Sequence, residues 1–232
     1  MSHYYTCIAV DVVKSQDQKL DQVEAYLTDL KEYLNRKFSE RLTIYFDIRK
    51  GDELIGVLSR FSDAYRILRA IEKFTENKPN FTFYIGCGFG TIDTKNKESI
   101  HIANGSAIIN ALYARDELIK QGDREAKIWE FPKQHKIYFY TKDFPYSSIN
   151  ALYYMISQLI NKRSEKQKAI VQAVRENPDM TYEEIGNKFG YKSPKTSVSN
   201  HLYAANFELV AESEKSLLQL LDFHQNQLEQ NK

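Results

Sequence analysis

Cysteine is scarce: Cys7 and Cys87 are the only two in 232 residues, and neither CxxC nor Cys/His spacing is present to hold zinc. Both fall in apolar, strand-like runs. They read as reduced, buried thiols of a cytoplasmic protein, with a disulfide between two central strands as the alternative. No apolar run approaches the ~20 residues that span a bilayer, so a membrane is not expected as a partner. The first residues, Met1, Ser2 and His3, are polar and do not resemble a targeting segment. Net charge is nearly absent at +1, which argues against a nucleic-acid coat or a membrane-surface protein and requires any basic patch to be local. What is present is a 42% apolar chain, enough for a core, long enough for one large domain or two ordinary ones.

Along the chain, Tyr4 to Val10 is aromatic, β-branched and nearly all apolar, which suits a central strand buried on both faces and ending at Asp11. Leu20, Val23, Leu27, Leu30 and Leu34 recur at helical steps. Leu42 to Ile48 and Leu54 to Leu58 read as strands joined by a tight turn over Arg49 to Glu53. A helix follows with Ala64, Ile67, Leu68, Ile71 and Phe74 on its buried face, ending at Asn77 to Asn80. Phe81 to Ile92 is a strand with Gly86, Gly88 and Gly90 at alternate positions. Such a row means close approach to the backbone, by a ligand, a packed helix or a bulge. Ile102 to Lys120 reads as a helix, and Ala126 to Phe131 and Lys136 to Thr141 as two more strands. The order predicts an α+β domain over residues 1–145 with a ferredoxin-like sheet covered by helices. Residues 146–165 read as a connecting helix and linker, and 166–232 as an all-helical domain.

The stretch Arg-Lys-Gly-Asp-Glu-Leu-Ile-Gly-Val-Leu, residues 49–58, sets Asp52 and Glu53 at a hairpin. Gly with Asp is ordinary turn chemistry. In the predicted sheet, however, the first strand lies beside this hairpin, which brings Asp11 near Asp52. Two such carboxylates repel unless a cation shares their charge. Magnesium or manganese, which takes one or two carboxylates and completes its shell with water and phosphate, is the expected cofactor.

In the helical domain, Thr181 and Glu184 form a capping box, and Ile185, Gly190, Val198 and Leu202 have helix-turn-helix spacing. No acidic residue lies between Glu184 and Glu208, whereas Lys188, Lys192, Ser193, Lys195, Thr196, Ser197, Ser199, Asn200 and His201 do. Lysines and hydroxyls suit phosphate oxygens and Asn can pair with adenine, so DNA is the expected partner. A helical module that packs on a protein is the alternative. The apolar stripe through Ala204, Phe207, Leu209 or Val210, Leu217, Leu220 and Leu221 either forms a homodimer contact or folds back on its own domain.

Ala-Val-Asp-Val-Val, Lys-Gly-Asp-Glu-Leu-Ile-Gly-Val-Leu and Tyr-Ile-Gly-Cys-Gly-Phe-Gly stand in the order found in nucleotide-cyclase and GGDEF palm domains. With the C-terminal helices, the whole chain resembles the SatD family. The resemblance implies metal ligands at Asp11 and Asp52, with the Val12 carbonyl and Glu53 beside them. It also implies nucleotide contacts at Val12, Lys14, Lys50, Gly86, Gly88, Asn110 and Arg115, and makes Asp11, Asp52 and Glu53 the candidate catalytic acids. Two features differ from the cyclases. Asn110 and Arg115 are five apart instead of four, which separates them by about 140° on an α-helix. Lys50 directly precedes Gly-Asp, where a base-reading lysine would stand two or three residues earlier. The expected function is therefore a SatD-like transcriptional regulator that binds DNA and a nucleotide. The alternatives are a nucleotide cyclase or nucleotidyltransferase with a localising helical domain, or an inactive scaffold.

Overall fold

A computed structural model describes residues 3–14, 19–77, 81–93, 99–130 and 135–230. The chain divides into two compact units, Met1–Asn150 together with Leu218–Lys232, and Ala151–Leu217. The first is α+β. Its strands β1 (Tyr5–Val12), β2 (Leu42–Arg49), β3 (Glu53–Leu58), β4 (Phe83–Gly90) and β5 (Lys136–Tyr140) form one mixed sheet in the order β2-β3-β1-β4-β5. β1 runs antiparallel to β3 and β4, β2 antiparallel to β3, and β5 parallel to β4. β1 and β3 are buried along their whole length, which is why their sequences are nearly unbroken apolar runs.

Helices α1 (Leu20–Phe38) and α2 (Asp63–Asn77) lie against the face carrying Phe83, where Tyr26 of α1 packs against Phe74 and Phe83. Helix α3 (Ser106–Tyr113) covers the opposite face. There it runs backbone against backbone with β4. A Cβ at Gly86 or Gly88 would overlap the Ala111 carbonyl or amide, and one at Gly90 would overlap the Ser106 hydroxyl. The glycine row thus receives a packed helix. On that face Gly86 and Gly88 are covered by α3, which corrects their assignment as nucleotide contacts.

Cys7 is paired with Gly88 and Cys87 with Ile8, so the thiols point to opposite faces and the alternative of a disulfide falls. Burial holds both thiols well above their ordinary pKa. The expected strand from Ala126 is instead a short helix, α4 (Arg124–Lys127), because Asp123 caps the Glu125 amide and helix-forming residues follow. Phe131 and residues 132–134 of the expected link from Pro132 to His135 lie outside the described residues, as do residues 78–80 of the expected helix end.

The final helix, α9 (Phe207–Gln230), returns to the first unit from Leu218 onward. There Gln225 donates to the carbonyls of Tyr4 and Ser59, both at 3.0 Å, and accepts from the Phe61 amide at 2.9 Å. The Tyr4 amide donates to Glu229 at 3.0 Å, and His224 stacks on Phe144 with centroids 4.2 Å apart.

The second unit begins within α5 (Ser147–Asn161) and includes α6 (Glu165–Glu176), α7 (Tyr182–Lys188) and α8 (Pro194–Ala204). Ile170, Val171, Ile185, Val198, Leu202 and Ala205 form its core. Ser164 with Gln167 and Thr181 with Glu184 make capping boxes that fix where α6 and α7 begin. Helix α8 does not continue into the apolar stripe. Asn206 takes a φ of 51° and turns the chain, and Val210, Leu217 and Leu221 are buried within the chain itself, leaving that part of the stripe closed to a second copy.

His135 is held neutral. Burial lowers its pKa from 6.5 to about 4. Its Nδ1 accepts from the Phe83 amide at 3.0 Å, so the proton sits on Nε2, 2.8 Å from the Thr75 hydroxyl. The unfolded chain takes up a proton below its ordinary pKa and the folded chain only near 4. Stability from His135 is therefore complete above pH 6.5 and lost as pH falls through this window, by about 3 kcal/mol. Urea midpoints measured from pH 7 to 4 should drop in the wild type and less in His135→Gln. Gly88→Ala should destabilise by about 3 kcal/mol or prevent folding, because only backbone can yield. Gly190→Ala, with open space but a φ of 69°, should cost about 1 kcal/mol in the same assay.

Candidate functional site

The sheet end that carries Asp11 is an ionic cluster. Asp11 on β1 is aligned with Glu53 on β3, and both side chains stand on the α3 face, which puts two buried carboxylates side by side. The acid aligned with Asp11 is thus Glu53. Asp52 lies one residue away in the turn, half-buried, and its charge pushes the Asp11 carboxyl upward. That turn is left-handed at two successive residues, Lys50 with φ 55° and Gly51 with φ 87°, the combination that primed hairpin turns require. Lys50 is exposed, and so is Lys14, at φ 55° just beyond β1. Val12 is buried within β1, paired with Phe83.

Two cations answer the two acids. The α3 helix passes directly into a π-helical segment, Ala114–Lys120. In a π turn, hydrogen bonds join residues five apart, so Arg115 and Lys120 fall one turn apart and face the same edge. An α-helix would separate them by about 140°. Arg115 pairs with Glu53 and makes a bidentate contact with Asp116, both bonds 2.8 Å. Lys120 pairs with Asp11, and its Nζ lies 3.1 Å from Asp116. The Arg49 Nε is 3.6 Å from Glu53.

Burial raises the Asp11 carboxyl above its ordinary pKa, against the hydrogen bond from Lys120. Burial works to lower Arg115 and Lys120, but Asp116 and Glu53 hold Arg115 above its usual value, and Asp11 does the same for Lys120. Asp116 is held low by Arg115 and Lys120 despite its own burial. The cluster is not saturated: Glu53 Oε2 and Arg115 Nη1 are buried and make no hydrogen bond among the described residues.

Asn110 is near in sequence but has a different task. Its amide donates to the Phe89 carbonyl at 2.7 Å, fastening α3 to β4. Asn110 and Arg115 therefore do not act as a pair. Lys120, Asp116 and Arg49 did not emerge from the sequence. The five-residue step from Arg115 to Lys120 is their signal, legible only if the segment is read at π and not α pitch. Among the described residues, no group of three or more His, Cys, Asp and Glu side chains is placed to hold a metal ion.

In the helical unit, Lys188, Lys192, Ser193, Lys195, Thr196, Ser199 and Asn200 are exposed around α8, whereas Ser197 and His201 are half-buried. The His201 ring stacks on Tyr191 with centroids 5.7 Å apart, and Lys188 Nζ lies 3.2 Å from the Met180 sulfur. No protein-family model matches the chain, and a search of curated proteins finds no match.

Removing one partner of a buried pair leaves the other charge stranded. Glu53→Gln should therefore lower unfolding free energy by about 3 kcal/mol, since Arg115 loses its strand partner. Asp52→Asn, in the half-buried turn, should change it by less than about 0.5 kcal/mol. Denaturant titration of both variants checks the difference.

Proposed function

We propose that the chain is a DNA-binding regulator of the SatD type. In this reading α6, α7 and α8 form a helix-turn-helix, and the α+β unit is a ferredoxin-like, cyclase/palm-type domain that binds a nucleotide. The observation that carries it is the surface of α8 and the segment leading into it: Lys188, Lys192 and Lys195, with hydroxyls and an asparagine, are exposed with no acid between Glu184 and Glu208, while the chain from Ala151 onward holds ten basic and ten acidic residues. Positive charge is thus concentrated around the turn between α7 and α8. Lys192 and Lys195 would meet phosphates and Asn200 a base edge. So few cations in one copy make a homodimer the binding form.

The nucleotide reading is supported by the antiparallel order β2-β3-β1-β4 in the palm arrangement and by the unsaturated cluster at its end. A phosphate oxygen would satisfy Arg115 Nη1. Magnesium or manganese would be held by Asp11 and Asp52 and would supply charge neutralisation to the phosphates. Lys120 already occupies Asp11, so metal and lysine compete for one carboxylate. The rival cyclase or nucleotidyltransferase reading has no specific observation in its favour, because Asn110 and Arg115 are committed to Phe89 and to Glu53 with Asp116.

Fluorescence anisotropy of a labelled duplex, titrated at stepped salt with and without magnesium triphosphates, tests both halves. Affinity should fall steeply with ionic strength, and Lys192→Ala and Lys195→Ala should each reduce the log–log salt slope by about one. Triphosphate should shift the wild-type curve and leave Asp52→Ala unmoved. Salt-independent binding, or no binding at low salt, removes the DNA reading. An equal response from Asp52→Ala removes the nucleotide site.

A further inference from the structure

The corner between α8 and α9 forms a half-open cavity of about 300 Å³ whose wall includes Tyr182, Ser199, Tyr203, Phe207, Glu208 and Leu209. It exists because Asn206, with its φ of 51°, turns the chain, setting the first turn of α9 beside the last turn of α8. Three of these six residues are aromatic, one is a carboxylate, and among the described residues no lysine or arginine lines the space. Apolar surface is also left uncovered at the rim, with Tyr203 89% and Leu209 56% exposed.

Aromatic faces carry negative potential, and an adjacent carboxylate adds a full charge, so this lining repels anions and attracts weakly hydrated cations. The cation beside Phe207 is already paired: Arg175 stands 5.9 Å from the Phe207 ring centroid and binds Glu214 at 2.8 Å. Glu208 makes no ion pair among the described residues, so the cavity retains a net negative charge. The volume is at the small end of ligand pockets, which fits a compact headgroup.

We propose that this cavity binds a small organic cation, an alkylammonium group. The rings of Tyr182, Tyr203 and Phe207 surround its alkyl substituents, Glu208 balances its charge, and the Ser199 hydroxyl is available to a polar tail. The proposal shares Ser199 with the DNA reading and uses none of its lysines.

Isothermal titration of the full chain with choline chloride, and with its uncharged tert-butyl isostere 3,3-dimethylbutan-1-ol, tests it. Choline should bind saturably in the millimolar range. The isostere should bind about tenfold more weakly, and Glu208→Gln and Tyr203→Ala should each weaken choline about tenfold. Both substituted side chains are exposed, and circular dichroism verifies that the variants remain folded. Equal affinity for the two probes, unchanged binding by the folded variants, or no saturable binding by the wild type overturns the proposal.

Discussion

Helix α3 meets β4 with nothing between their backbones but the hydrogens of Gly86, Gly88 and Gly90. Any side chain on that row would lift the helix off the sheet. The Asn110 amide, bonded to the Phe89 carbonyl, sets the same depth from the helix side. Depth matters because Arg115 and Lys120 follow α3 directly, and they reach Glu53 and Asp11 only from a helix this low. The electrostatics at the sheet end are thus a consequence of steric absence in the strand beside it.

Aligned acids on neighbouring buried strands are costly unless something neutralises them. Here the chain supplies its own cations, and the π segment brings both to the same edge. This makes the cluster self-contained but not saturated, since one carboxylate oxygen and one guanidinium nitrogen make no hydrogen bond among the described residues. A ligand entering such a cluster exchanges one ion pair for another and does not fill a vacant charge. Selectivity then depends on whether the newcomer satisfies more of these polar atoms than Lys120 and Arg115 do between themselves.

Much of the sheet was legible because its signals are local. Apolar strand-length runs, a Gly-Asp hairpin and helical recurrence of Val23, Leu27, Leu30 and Leu34 each point to one element. The glycine row announced close approach, but its partner could not be named, because the identity of what packs there is a tertiary fact. The strand expected from Ala126 failed where a single capping residue, Asp123, outweighed the apolar pattern after it. The charged cluster was half visible. Asp11 was found from its place at a strand end, but its expected partner was Asp52, and Glu53 entered as a site residue only through the resemblance; Lys120 and Asp116 were hidden by the assumption of α pitch.

The first unit is discontinuous in the chain: its sheet precedes the helical unit, while its last element, from Leu218 onward, follows it. Gln225 and Glu229 satisfy backbone groups of Tyr4, Ser59 and Phe61, residues made some 160 or more positions earlier. During synthesis these groups must wait, hydrated, until the closing turns of α9 leave the ribosome. Chains interrupted in the helical region would therefore carry unsatisfied backbone groups at the ends of the two inner strands β1 and β3, which quality-control proteases could distinguish from the completed product.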